Sequence, residues 1–136
     1  MYRWVEHTGE LELELEASSE SSLFEEALAA LGGLIGERAG DDEGADAAPI
    51  RRQVSASAPD RATLLAEWLS ELAYLAETAG LVPDRVERLE LSANVLDATV
   101  VGHRASPPHL VKAVTYHRLG MWEENKTWRA RVILDV

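Results

Sequence analysis

The clearest pattern along the chain is the strict alternation of leucine and glutamate in "ELELELEA", residues 10–17. The leucines face one side of an extended chain and the glutamates face the other, which is the two-residue period of a half-buried β-strand. The same reasoning predicts further strands in "IRRQVSAS", "RVERLELSA", "LDATVVGHRA", "VKAVTYHRL", "MWEE" and "TWRARVILDV". Between the last two of these, "ENKT" is predicted to form a hairpin turn.

A first helix is predicted after this leading strand. Ser22 and Glu25 have the spacing of a capping box, and Gly32 with Gly33 predicts that the helix ends near that point. The apolar residues that recur at helical spacing are Phe24, Ala27, Leu28, Leu31 and Ile35.

A second helix is predicted to begin after Asp60, which would cap it, and to end at Gly80, which tolerates a left-handed conformation. Its apolar stripe consists of Leu65, Trp68, Leu69, Leu72 and Leu75. The order strand, helix, strand, helix and then several strands predicts an α+β fold, in which two helices pack on one face of a mostly antiparallel sheet.

Length, composition and net charge limit the number of domains, the cellular location and the kind of partner that we expect. The 136 residues predict a single domain over 1–136, with a mobile acidic loop at 37–49. No apolar run is long enough to span a bilayer, the first residues do not resemble a signal peptide, and cysteine is absent, so we expect a cytoplasmic protein without a membrane role. The net charge of −11 disfavours direct nucleic-acid binding and favours cations or a basic protein partner.

Carboxylates near both ends of the chain are the main candidates for chemistry. Asp135 lies beside Val136, whose terminal carboxylate would add two oxygens, and Glu10 lies at the mouth of the first predicted strand. Such oxygen donors suit Ca²⁺ or Mg²⁺ and not zinc. Spacing alone leaves open whether the two ends meet, and the alternative is that Asp135 ends its strand in solvent. For Glu12, Glu14 and Glu16 we favour a solvated strand face without a binding role.

Three further polar residues are secondary candidates. His7 is either a turn-capping residue or a ligand or acid–base group. Lys112 and His117 fall in one predicted strand, on opposite faces, where Lys112 either extends over the sheet to water or balances a cluster of carboxylates. No phosphate-binding glycine loop, no HExxH and no GxSxG occurs, so the sequence gives little support for an enzyme.

The chain resembles the archease family. The stretches that carry the resemblance are "YRWVEHTGELELELEA", "SLFEEALAAL", "LLAEWLSELAYLAETAGLV" and, at the end, "VKAVTYH" with "ARVILDV". They occur in the order of the family and cover most of the chain, and 37–49 with 93–108 match least.

The resemblance implies a small α+β protein that acts with the GTP-dependent RNA ligase of tRNA splicing and RNA repair. Archeases speed formation of the ligase–guanylate intermediate and allow multiple turnover, without being the catalyst. They carry a divalent metal, often calcium, with magnesium or manganese as alternatives. The family's metal-binding positions match Glu10, Asp135 and Val136, although this chain has "HTGE" where the family pattern has "HTAD". His7, Lys112 and His117 would support the site or the interface.

Two other function classes stay open from the sequence. The first is an acidic protein-binding or chaperone-like module that recognises basic clients without a ligase role. The second is a small hydrolase that uses carboxylates and a metal, which would turn over a substrate by itself.

Overall fold

The computed structural model describes residues 1–38, 48–105 and 111–136. Their elements are, in chain order, β1 (Tyr2–His7), β2 (Glu10–Ala17), α1 (Glu20–Arg38), β3 (Ile50–Ser57), α2 (Arg61–Ala79), β4 (Leu81–Ser92), β5 (Val95–Arg104), β6 (Ala113–Glu124) and β7 (Thr127–Asp135).

The strands form two antiparallel sheets, one in the order β1-β2-β7-β6 and one in the order β3-β5-β4. The α+β class predicted from the sequence is confirmed. The expected single sheet is instead divided in two, and each helix contacts strands of both sheets. Each sheet therefore turns its apolar face toward the helices.

Helix α1 is apolar around most of its circumference, because it packs against β2 on one side and β4 on the other. The apolar spacing predicted for this helix is confirmed. Its buried apolar side chains are those of Leu23, Phe24, Ala27, Leu28, Ala30, Leu31, Leu34 and Ile35.

Both predicted ends of α1 are wrong. Ser19 caps the helix, since its hydroxyl oxygen accepts the N–H of Ser22 at 3.2 Å, so the capping residue lies three residues before the expected Ser22. The helix also continues through Gly32 and Gly33 to Arg38. A Cβ atom on Gly32 would lie 2.1 Å from the carbonyl oxygen of Pro83, so this glycine permits close contact with β4 and does not end the helix.

Helix α2 has the predicted ends. Asp60 accepts the N–H of Thr63 at 2.8 Å, and this bond holds the pKa of Asp60 below its usual range. Gly80 closes the helix with φ of 65°. The indole N–H of Trp68 donates to the carbonyl oxygen of Phe24 at 2.8 Å, and this buried hydrogen bond links α2 to α1.

The remaining strands depart from the sequence pattern in two places. Strand β1 was not predicted, and "VKAVTYHRL" and "MWEE" belong to the single strand β6. That strand contains a large bulge, because residues 116–119 lie opposite Val132 alone. The last hairpin turn is as predicted, with Asn125 at φ 52° and Lys126 at φ 64°.

Most of the predicted acidic loop and the segment "SPPH" lie outside the described residues, whereas Glu37 and Arg38 belong to α1. Within the described parts of the chain, neither helix is long and apolar enough to cross a membrane.

Candidate functional site

One row of the four-stranded sheet contains His7, Glu10, Asp135 and Ala113, each directly opposite the next on β1, β2, β7 and β6. Two backbone hydrogen bonds extend this row. The N–H of Val136 donates to the carbonyl oxygen of Gly9 at 3.2 Å, and the N–H of Lys112 donates to the carbonyl oxygen of Asp135 at 2.8 Å. The first and the last of the predicted strands, β2 and β7, therefore pair side by side, and Glu10 and Asp135 meet at one end of the sheet.

The side chains of Glu10 and Asp135 lie on one face, because directly opposed residues of an antiparallel pair point the same way. Both residues are half-buried, and Gly9 brings the chain into β2 from a turn with φ of 73°. Two carboxylates and the neighbouring backbone oxygens are a hard donor set without sulfur. Across residues 1–38, 48–105 and 111–136, no group of three or more His, Asp or Glu side chains is arranged to hold a metal ion.

Two rows along the strands from this one, Glu12 contradicts the expectation of a solvated glutamate face. Strand β2 is central in its sheet, between β1 and β7, and Glu12 is only 5% exposed. Its carboxylate accepts a hydrogen bond from the guanidinium of Arg118 at 3.2 Å and lies 3.5 Å from Nε2 of His7. A buried carboxylate is stable only with such partners, so Glu12 is a structural part of this face.

The two glutamates farther along β2 are half-buried and also have cationic partners. Arg3 of β1 contacts Glu14 at 2.7 Å, and Arg129 of β7 contacts Glu16 at 3.2 Å. Glu14 and Glu16 therefore each form an ion pair with an arginine of a neighbouring strand. Glu10 differs from these glutamates, because its direct partner on β7 is the carboxylate of Asp135. Two opposed carboxylates repel each other unless a cation lies between them, which singles out this end of the sheet.

The structure places the three secondary candidates at different distances from the site. His7 lies in the row of Glu10 and contacts Glu12, so the structure brings it to the site. Lys112 adjoins the site through its backbone, and its side chain is exposed. Lys112 precedes β6, so the prediction that both residues share a strand is wrong. The exposed His117 lies within the bulge, which interrupts the expected alternation of faces.

Two contacts near the site were missed by the sequence reasoning. Arg118 reaches Glu12 because the bulge turns its backbone to φ of 56°, which no local pattern indicates. The hydroxyl of Tyr116 donates to Oε1 of Glu67 on α2 at 2.6 Å, and this bond raises the pKa of Tyr116. A strand-to-helix bond of this kind has no signal in either segment alone.

Comparison with known proteins places this arrangement in a family. The model of the Archease protein family (MTH1598/TM1083) matches residues 2–136. Protein archease from Methanosarcina acetivorans is 30% identical over 144 residues, which cover 99% of this chain and 95% of that protein. Protein archease from Methanosarcina mazei is 29% identical over 144 residues, with the same coverage.

Two solved structures have a similar fold. The solution structure of Protein 1598 from Methanobacterium thermoautotrophicum has a TM-score of 0.71 at 25% identity, with 99% of this chain and 98% of that chain covered. The crystal structure of an archease, described as a possible chaperone, from Thermotoga maritima has a TM-score of 0.61 at 21% identity, with 100% and 98% covered. With the family model matching almost every residue, this chain belongs to the archease family.

Proposed function

We propose that this chain is a non-enzymatic activator of the GTP-dependent RNA ligase that joins a 3′-phosphate or 2′,3′-cyclic phosphate to a 5′-hydroxyl. In this function it promotes guanylylation of the ligase and allows multiple turnover. Family membership supports the proposal. The observation that carries it is the direct opposition of Glu10 and Asp135, with Val136 hydrogen-bonded beside them. These are the positions that match the family's metal-binding pattern.

The residues at this end of the sheet fit a divalent cation. Glu10 and Asp135 would hold it through their carboxylates, and Val136 through a backbone oxygen, with water completing the shell of Ca²⁺, Mg²⁺ or Mn²⁺. Glu10 is one methylene longer than the aspartate of the family pattern and keeps a hard oxygen donor. Bound there, the cation supplies a local positive charge that neutralises the two opposed carboxylates.

The charge of the chain supports an activator that does not hold RNA itself. With 24 acidic residues against 13 basic ones, the net charge of −11 repels a phosphate backbone at long range. The same charge attracts a basic protein surface, which a ligase must present to its RNA substrate. The chain therefore acts by contact with the ligase.

Ligase guanylylation is the reaction that tests this function. The rate of formation of the ligase–guanylate intermediate is measured with the ligase alone, with added wild-type chain, and with the Glu10→Ala or Asp135→Ala variant. We expect the wild-type chain to raise the rate and both variants to lose most of that effect. The matched control is Glu124→Ala, an exposed acid at the distant end of β6, which should activate like wild type. Equal rates with and without the wild-type chain contradict the proposal.

A second candidate function is general binding of basic clients, as in a chaperone. The description of the Thermotoga maritima archease as a possible chaperone favours it. This function predicts that the chain suppresses aggregation of unrelated basic proteins, and that Glu10→Ala and Asp135→Ala do not alter the effect. Ligase activation that is lost in these variants, without any effect on aggregation, excludes it.

A further inference from the structure

A groove between α2 and β6 adjoins the row of Glu10 and Asp135. It has a volume of about 200 Å³ and is lined by Ser70, Ala73, Tyr74 and Glu77 of α2 and by residues 111–114. We refer to this groove, together with the neighbouring Glu67, Glu71 and Tyr116, as the α2–β6 surface. Ala113 lies directly opposite Asp135, so the groove is at the same end of the sheet as the carboxylate pair.

Two tyrosines give the α2–β6 surface an aromatic character. Tyr74 is 61% exposed and Tyr116 is 57% exposed, and they lie on the two elements that form the groove. The Tyr116 hydroxyl is already bonded to Glu67 at 2.6 Å, which fixes the orientation of its ring. Exposed tyrosines with few rotatable bonds are typical anchors of protein interfaces, because burying them on binding loses little side-chain entropy.

The charge of this surface indicates the chemistry of its partner. Glu67, Glu71 and Glu77 lie along one side of α2, and Lys112 is the one basic residue of the described surface. Glu71 is exposed and precedes Tyr74 by three residues, so the two side chains are neighbours on the helix surface. A guanidinium can stack on a tyrosine ring while it forms hydrogen bonds with a carboxylate. Tyr74 and Glu71, at the rim of the groove, therefore suit an arginine side chain of a basic protein.

We propose that the α2–β6 surface is the docking site for the basic face of the ligase, and that an arginine of the ligase stacks on Tyr74 and bonds to Glu71 at the rim of the groove. This inference rests on the proposed function and adds the contact surface to it. Docking there brings the ligase to the end of the sheet at which Glu10 and Asp135 are paired. Affinity for the ligase then resides mainly in the α2–β6 surface, and activation resides in the carboxylate pair.

The test separates binding from activation. The dissociation constant for the ligase is measured by calorimetry, and the guanylylation rate is measured over a range of concentrations of each variant. We expect Tyr74→Ala and Glu71→Arg each to weaken binding by about tenfold or more, the scale for an interface anchor, with a wild-type maximal rate once the ligase is saturated. Glu10→Ala should show the reverse, with unchanged affinity and a lower maximal rate. The control is Trp122→Ala, which removes a 38%-exposed aromatic residue from the other end of β6.

Each result has a definite meaning. Unchanged affinity of Tyr74→Ala and Glu71→Arg overturns the docking surface, as does an equal loss of affinity in Trp122→Ala. If the wild-type chain binds without raising the guanylylation rate, the proposed function fails, and the affinities of the same variants still decide whether this surface is the contact. If the wild-type chain does not bind the ligase, both proposals are overturned.

Discussion

Glu10 and Asp135 are direct partners on the adjacent antiparallel strands β2 and β7. This pairing extends as a continuous ladder to Ala17 and Trp128, so the position of the two carboxylates is fixed by the register of the sheet. A shift of one residue would turn either Leu11 or Leu134 outward, depending on which strand moved, away from the core in which both are buried. Core packing thus maintains a pair of like charges that would otherwise separate.

The first prediction concerns the buried pair of Glu12 and Arg118. Replacing Arg118 by Met leaves the Glu12 carboxylate buried without its guanidinium, so we expect the free energy of unfolding to fall by about 1–3 kcal/mol. Adding Glu12→Gln in the same chain should recover most of this loss, because a neutral amide is less costly to bury. Urea unfolding of the single and double variants measures both effects.

The control for this pair is Arg3→Met. It breaks the more exposed pair with Glu14 and should lower the free energy of unfolding by no more than about 1 kcal/mol. If Arg118→Met and Arg3→Met lower it equally, the special role of the Glu12 pair is contradicted.

The second prediction concerns the adjacent glycines of α1. Gly32→Ala places a Cβ atom against the backbone of Pro83, so we expect a loss of about 1–3 kcal/mol in the free energy of unfolding. In Gly33→Ala the nearest atom is the hydroxyl oxygen of Tyr2 at 3.3 Å, at the end of a side chain that can move. Helix propensity then favours alanine by up to about 1 kcal/mol. Thermal unfolding should therefore separate the two variants, and a lower midpoint for Gly33→Ala than for Gly32→Ala would refute the packing argument.

The third prediction is a pH dependence of stability at Tyr116. The bond to Glu67 raises the folded-state pKa of Tyr116 above its usual value of 10.0. A raised folded pKa contributes stability below the unfolded pKa, and this contribution is lost as the pH rises through the folded pKa. The stability difference between wild type and Tyr116→Phe should therefore be constant below pH 10.0 and shrink above it.

Urea unfolding at a series of pH values measures this difference. Glu67→Gln provides the control, because a neutral amide in place of the carboxylate no longer raises the pKa of Tyr116. A difference that persists unchanged at high pH, or one that is the same in the Glu67→Gln background, would contradict the role of the bond.

The parts of the fold that depend on local chemistry could be predicted from the sequence. Asp60 and Gly80 define both ends of α2 through bonds within a few residues, and the turn at Asn125 has its own backbone preference. The end of α1 could not be predicted, because the tolerance of Gly32 depends on Pro83 of a distant strand. Strand β1 was missed because "YRWVEH" lacks a clear alternation of apolar and polar residues.

The candidate site was predictable only in part. Glu10, Asp135 and Val136 were candidates because of their oxygen donors near the two ends of the chain, and the family resemblance matched the same positions, but spacing alone left open whether they meet. The burial of Glu12 depends on Arg118, which arrives from a bulge 106 residues later in the chain. A glutamate in a perfect alternation is normally solvent-exposed, so the local pattern favoured the wrong environment.

Calorimetric titration with Ca²⁺, and in parallel with Mg²⁺, tests most directly whether Glu10 and Asp135 form a cation site. We expect saturable binding of one ion by the wild-type chain and an affinity lower by about tenfold or more in Glu10→Gln and Asp135→Asn, since each variant removes one charged ligand. The control Glu124→Gln should bind like wild type. Absence of binding by the wild-type chain, or equal affinity in all four proteins, would contradict the account.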